Sequence, residues 1–244
     1  MTLESILFPS LMLAAIGLIF AALIAWAAQV FKIEDNPAIA QVLDALPGAN
    51  CGACGMAGCA AYAHAIVIDG VAINLCTPGG QAVADKLAAI TGKSSGTKEK
   101  KVARLLCNGG SEALDEYDYC GIASCHAAYF LLKGQKLCKY GCLGFGDCVA
   151  ACAFGAMTRG ENGIPKIDQL KCVACGACVL ACPKNLIELH SEKRFVFIMC
   201  KSQDKGAIVS KICKHGCIGC GLCAKACPFK AITIANNLAV IDYE

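Results

Sequence analysis

The chain has 244 residues, 21 of them cysteine and 25 glycine, with one tryptophan and 17% charged residues. That length suits one or two domains; so much cysteine reads as a disulfide scaffold only in a short secreted chain, and an odd count cannot all pair internally. A mean hydropathy of +0.55 excludes a disordered tail protein, and a formal charge of +3 gives no case for a nucleic-acid partner.

Most of the apolar excess lies at the N-terminus. No charged residue falls between Glu4 and Lys32, and Ile6 to Phe31 reads ILFPSLMLAAIGLIFAALIAWAAQVF. As a helix these 26 residues extend about 39 Å, enough to cross a hydrocarbon core of about 30 Å. Pro9 falls near the start, where a missing N–H costs least, and Trp26 lies near the far end as an interfacial anchor. A signal peptide would open on a basic segment, but Met1 to Ser5 contains only Glu4. Residues 1–31 are therefore expected to anchor the chain in a membrane. Lys32 follows the helix at once and no Lys or Arg precedes it, so the remainder is expected on the cytoplasmic side. A reducing compartment turns thiols away from disulfides and toward metal or redox centres.

Residues 32–92 predict a small, mostly helical domain. Asp35 or Asn36 can cap a helix that starts at Pro37, carries Ile39, Val42, Leu43 and Leu46 on one face, and ends at Pro47-Gly48. Ala57 to Ile68 predicts a second helix, and Gly79 to Thr91 a third, closed by Gly92. Between them stand Cys51-GA-Cys54-GMAG-Cys59 and then Cys76, a four-cysteine set suited to an iron–sulfur cluster on a loop, a helix and the next turn. Its C-x2-C-x4-C order reverses the plant-type [2Fe–2S] spacing, so spacing alone leaves the cluster type open.

Gly92 to Lys101 reads GKSSGTKEKK, a linker whose Lys98-to-Lys101 charges form a solvated face. Residues 93–132 comprise this linker, a strand-type run at Lys101–Leu106 ending before Cys107, and a helix predicted over Ala123–Leu132. A similar strand-type run, Arg194–Met199, ends before Cys200. Ala156–Met157 with Lys166–Asp168, and Ile232–Ile234 with Val240–Asp242, predict small hairpins.

An internal repeat is plain. Cys138-KYG-Cys142-LGFGD-Cys148-VAA-Cys152 matches Cys213-KHG-Cys217-IGCGL-Cys223-AKA-Cys227 at an offset of 75 residues, with Phe154 matching Phe229. Duplicated ligand spacing implies duplicated modules carrying one type of centre. They are expected as a two-cluster ferredoxin-like domain over 133–192 and a further module over 193–244, completing an α+β chain of repeated ferredoxin-like units.

The sharpest signals are Cys172-x2-Cys175-x2-Cys178-x3-Cys182-Pro183 and Cys217-x2-Cys220-x2-Cys223-x3-Cys227-Pro228, the bacterial ferredoxin run for [4Fe–4S] clusters. Zinc needs only four ligands, usually as two separated pairs, so a third cysteine followed by Cys-Pro is not zinc spacing. In paired clusters the cysteine before proline reaches across to the other cube. Phe145 occupies the place of Cys220 in the repeat, so Cys138 is expected to supply the missing ligand. That gives one cluster on Cys138, Cys142, Cys148 and Cys182, and another on Cys172, Cys175, Cys178 and Cys152. A fourth is expected on Cys217, Cys220, Cys223 and Cys227, unless Cys227 turns to another centre and Cys200 or Cys213 replaces it. Cys107, Cys120 and Cys125 read equally as ligands or as buried thiols. The expectation is at least four [4Fe–4S] clusters, and five if the leftover cysteines form another.

His64, His126, His190 and His215 show no pairing for zinc, haem or general-base work, and neither a dinucleotide fingerprint nor a P-loop occurs. Clusters would make the loaded protein acidic near its centres. Lys136, Lys139, Lys171, Lys201, Lys211 and Lys214 lie close in sequence to offset that charge or steer an acidic redox partner.

Taken together, the anchor, the segment LPGANCGACGMAGCAAYA with Cys76, the GI-x2-C and CKYGCLGFGDC-x3-C segments and the ferredoxin runs resemble the B subunits of Rnf complexes, ion-translocating ferredoxin:NAD⁺ oxidoreductases. The resemblance extends over essentially the whole chain. It implies that Cys51, Cys54, Cys59 and Cys76 hold a [4Fe–4S] cluster, that soluble ferredoxin is the electron donor, and that partner subunits carry flavins, bind NAD(H) and form the membrane ion path. It also implies the cytoplasmic membrane of a prokaryote. Ala153 departs from the ferredoxin pattern, which has proline there. The competing expectations are a polyferredoxin subunit of a hydrogenase or formate dehydrogenase, and a structural or sensor iron–sulfur protein.

Overall fold

The computed structural model describes residues 3–30, 36–97 and 99–243. Phe31, Lys32, Asp35 and Lys98 lie outside the described residues, and with them the end of the expected anchor and one of its two following cap candidates. Helix α1, Leu3–Val30, is continuous. Its Leu11–Val30 stretch has a mean hydropathy of 2.5, and none of it is buried against the rest of the protein. Leu13, Leu18 and Trp26 all project outward. With no polar stripe on any side, the helix suits an apolar solvent better than a half-wet surface.

Three helices follow as α2, Pro37–Ala45, α3, Cys59–Val67, and α4, Gly80–Thr91. Asn36 caps α2, its side-chain oxygen accepting from the Ala38 N–H at 3.0 Å, and Pro37 takes the first helical position. Gly92 closes α4 in the left-handed conformation. Val42, Leu46, Tyr62, Ile66, Ile73 and Leu87 bury one another between the three helices. Leu43, expected on the same face, stands at the exposed edge instead. The Tyr62 hydroxyl donates to the Ala72 carbonyl at 2.8 Å and accepts from the Leu75 N–H at 3.1 Å, which ties α3 to the loop that delivers Cys76.

The strands form three separate antiparallel pairs among the described residues. β1, Lys101–Leu105, does not pair with Arg194–Met199, which forms no strand. Its partner is Ile187–Ser191, with Ala103 opposite Leu189. Side chains engage backbone carbonyls of the 194–199 segment instead. Arg104 Nη2 donates to the Arg194 carbonyl at 3.3 Å and Tyr243 Oη donates to the Val196 carbonyl at 2.7 Å, so side chains take the acceptors a ladder would use. Rings then pack at this corner, with Arg104 over Phe197 and Arg194 over Tyr243.

In chain order the remaining elements are α5, Cys125–Phe130, α6, Asp147–Ala150, β2, Met157–Arg159, β3, Pro165–Ile167, α7, Ala177–Leu180, β4, Ile187–Ser191, α8, Gly206–Ile212, α9, Leu222–Ala226, β5, Ile232–Ala235, and β6, Leu238–Ile241. Both hairpins form where expected, Met157 opposite Ile167 and Ile232 opposite Ile241. Asn236 and Asn237 turn the second with positive φ at both positions. Val102, Leu105, Leu186 and Ile187 form the core of the β1–β4 pair, and Cys107, Cys148, Cys172 and Cys178 complete it.

Two outcomes follow. Phe20→Arg, near the centre of the apolar stretch, should oppose insertion by about 2.5–3.5 kcal/mol and move the protein out of alkali-washed membranes; unchanged membrane content would show that α1 is not the anchor. Tyr62→Phe removes both hydrogen bonds made by a buried hydroxyl, to the exposed Ala72 carbonyl and from the half-buried Leu75 N–H, and should cost about 0.5–1.5 kcal/mol in thermal unfolding.

Candidate metal centres

Four sets of cysteines gather in space. In the first, Cys51 and Cys54 lie on the loop before α3, Cys59 opens that helix, and Cys76 precedes α4. The Asn50 side chain accepts from the Cys59 N–H at 2.8 Å and fixes the loop to the helix start. Burial raises the Cys76 thiol above its ordinary value, and the thiolates of Cys59, Cys51 and Cys54 raise it further.

Cys152, Cys172, Cys175 and Cys178 line one cavity. The Ala103 N–H on β1 donates to Cys172 Sγ at 3.4 Å. Burial, and after it the thiolates of Cys172 and Cys175, push Cys178 up to about 11. Cys175 is raised by burial and also by Cys51 of the first set, so the two sets are neighbours. A cleft of about 1100 Å³ runs between them, with Cys76 on one wall and Cys175 on the other.

The next cavity departs from expectation. Cys142, Cys148 and Cys182 line it, but the fourth cysteine is Cys125 and not Cys138. Burial pushes both Cys142 and Cys148 up to about 12, with the Cys125 thiolate contributing to each. The N–H of Leu186, just ahead of β4, donates to Cys182 Sγ at 3.4 Å. Cys125 is held there by Asp147, the residue before Cys148. The Asp147 carboxylate accepts from the Ser124 hydroxyl at 2.8 Å, the Cys125 N–H at 2.9 Å and the His126 N–H at 3.1 Å. Asp147 thus caps α5 from across the cavity rim. Sequence reasoning passed over it; the signal was an acid beside a ligand and a Ser124 able to open a helix.

Cys138 lies instead in a fourth cavity, with Cys107, Cys200 and Cys213. The C-terminal run is local in chain. Cys217 and the exposed Cys220 precede α9, Cys223 sits on it and Cys227 ends it. Cys120 is exposed, its sulfur nearest the Asp118 carbonyl. The short helices α6, α7 and α9 each begin after a left-handed glycine, Gly146, Gly176 or Gly221, a conformation that lets the loop wrap back upon the site.

Among the described residues, no three cysteine, histidine or acidic side chains meet around one point at single-ion distances. Thiols standing apart around a hollow suit a group of several metal atoms, each taking one thiolate, better than one tetrahedral ion. Buried thiols with raised pKa hold their protons at neutral pH, and the positive charge of bound iron is what would release them.

The lysines are largely occupied. Lys136 is buried, its ammonium 3.0 Å from Asp115 Oδ1 and donating to the Ala113 carbonyl at 2.9 Å, so it steers no partner. Lys201 is bound to Glu188 and Lys214 to Glu112.

Comparison with known proteins agrees with this chemistry. The Fe–S cluster family model matches residues 46–78, and the 4Fe-4S dicluster domain matches residues 137–186 and 171–231. The chain is 46% identical to the B subunit of the Na(+)-translocating ferredoxin:NAD(+) oxidoreductase complex of Acetobacterium woodii, covering 99% of this chain and 73% of that one. It is 47% identical to the B subunit of the proton-translocating ferredoxin:NAD(+) oxidoreductase complex of Clostridium ljungdahlii, over 98% and 85% of the two chains. With the B subunit of the ion-translocating oxidoreductase complex of Methanosarcina acetivorans it shares 43% identity, over 99% and 92%.

Asp147→Ala should cost about 0.5–2 kcal/mol through the lost cap and lower iron content at the Cys125 cavity. Burial opposes ionisation of Asp147, yet the amides of Cys125 and His126 and the Ser124 hydroxyl hold its carboxyl below the usual range. Its contribution is therefore full above the ordinary carboxylate pKa and lost as pH falls through the lowered one. Acid unfolding of the wild type and the variant should converge at low pH.

Proposed function

The chain belongs to the family of B subunits of ion-translocating ferredoxin:NAD(+) oxidoreductase (Rnf) complexes, and on that premise we propose that it accepts electrons from reduced soluble ferredoxin and relays them toward its partner subunits. It is an iron–sulfur electron-transfer subunit of such a complex, associated with the membrane through α1. The partners are the other subunits of that complex; those that bind NAD, carry flavin and span the membrane with the ion path complete the reaction. The iron–sulfur units are read as residues 32–92, 133–192 and 193–244, joined through 93–132 and facing the cytoplasm of a prokaryote.

When bound, a [4Fe–4S] cluster supplies a low-potential carrier of one electron. The residues that would hold at least four of them are Cys51, Cys54, Cys59 and Cys76; Cys152, Cys172, Cys175 and Cys178; Cys125, Cys142, Cys148 and Cys182; and Cys217, Cys220, Cys223 and Cys227. The protein's work is to place these sets side by side and to set their surroundings. Amide N–H groups from Ala103 and Leu186 donate to ligand sulfurs, which stabilises added negative charge and makes reduction easier. Apolar neighbours such as Met157, Leu186 and Ile187 keep water from the two central sets.

The observation that carries the reading is adjacency. Cys76 and Cys175 line one cleft, and Cys148 shares a core with Cys172 and Cys178, so the first three sets are neighbours in turn. A redox titration of the anaerobic protein followed by EPR should give reversible low-potential signals, and reduced ferredoxin should bleach its visible absorption on mixing. Clusters that ignore ferredoxin and show no reversible low-potential signal would make this a structural or sensing protein.

A further inference from the structure

Cys107 follows β1, Cys138 opens the first repeat, Cys200 precedes α8 and Cys213 ends it. They come from four segments, yet all line one cavity. Cys107 and Cys138 are each 8% exposed. A Cβ built on Gly109 would stand 3.2 Å from Cys213 Sγ and 3.9 Å from Cys107 Sγ, so both sulfurs lie against the bare face of one glycine. The backbone pins this arrangement, with Ala113 bridged to Cys213 and the Leu114 N–H donating to the Ile212 carbonyl at 2.9 Å. Amides point at the sulfurs as in the neighbouring sets: Cys142 N–H to Cys107 Sγ and Ser202 N–H to Cys200 Sγ, both at 3.4 Å.

Symmetry gives a second, independent argument. Cys138 and Cys213 are equivalent positions of the repeat, each the lead cysteine of its unit. Each is joined by an upstream cysteine, Cys107 or Cys200. The cavity therefore receives the lead thiol of each repeat and one thiol from the segment that precedes it.

We propose that Cys107, Cys138, Cys200 and Cys213 ligate a further [4Fe–4S] centre, an assignment that rests on reading the neighbouring sets as cluster ligands. It explains why Cys125 completes the set of Cys142, Cys148 and Cys182, since Cys138 is engaged here. It also gives the C-terminal run a neighbour. The Cys142 amide bonds Cys107 Sγ on one side, and Cys217 follows Cys213 by four residues on the other. Cys120, exposed, is left outside the five sets.

The test is iron and sulfide counting with Mössbauer spectroscopy on the full-length protein, reconstituted anaerobically. Five [4Fe–4S] centres give about twenty irons per chain. Cys200→Ala/Cys213→Ala should lose about four of them, Cys138→Ala should lose the same spectral component, and Cys120→Ala should lose none. Cys125→Ala should remove a different component. A wild-type count of about sixteen, retention of all iron in the double variant, or zinc in place of this iron would overturn the assignment. The wild-type count decides the matter even if a variant fails to hold any centre. If it is about sixteen while the remaining iron titrates reversibly at low potential, the relay stands and this site alone falls.

Discussion

The constraint on which the rest of the molecule depends is the crowding of thiols that burial keeps protonated. Cys142 and Cys148 are pushed up to about 12 because there is little water and there are other sulfurs close by. Such a crowd repels itself as thiolates and packs poorly as thiols, so it calls for a polycation at its centre. Outside the helical unit around Tyr62 the ordinary means of support are slight. Three two-stranded ladders are marginal by themselves, and the core of the β1–β4 pair is built in part from Cys107, Cys148, Cys172 and Cys178. Cysteine side chains thus stand in this core where a larger protein would place leucine and phenylalanine.

The repeat shows how duplicated modules diverge without losing chemistry. Cys220 of the later unit corresponds to Phe145 of the earlier one. Phe145 packs edge-on against Tyr119, ring centres 5.3 Å apart, and Leu143 and Ala128 fill the space behind. A short helix delivers Cys125 to the same cavity from outside the repeat, with Asp147 holding its first turn. The earlier unit thus takes its donor from an added layer of structure where the later one has Cys220, while the lead cysteines of both units line another cavity.

Much of this was legible in the chain itself because the determinants are short-range. Asn36-Pro37 announced a helix start, Gly92 a helix end, and the Cys-x2-Cys-x2-Cys runs their own loops. What escaped was set by distance. The destination of Cys138 depends on Cys200 and Cys213, brought near by the pairing of residues 113–114 with 212–213. The partner of β1 was hidden because Arg194–Met199 has strand composition but gives its carbonyls to Arg104 and Tyr243. Ile187–Ser191 alternates apolar and polar residues, a weaker signal than the aromatic run beside it.

The crossing of Cys152 and Cys182 bears on how the chain can be divided. Cys182, at the end of one run, completes the cavity of the preceding one, and Cys152 does the reverse. A break in the chain between residues 152 and 172 leaves neither part with a full complement. The Cys51-to-Cys76 set closes within 26 residues of sequence, held by the core that α2, α3 and α4 share. The first set is thus local in the chain, and the other two are interlocked.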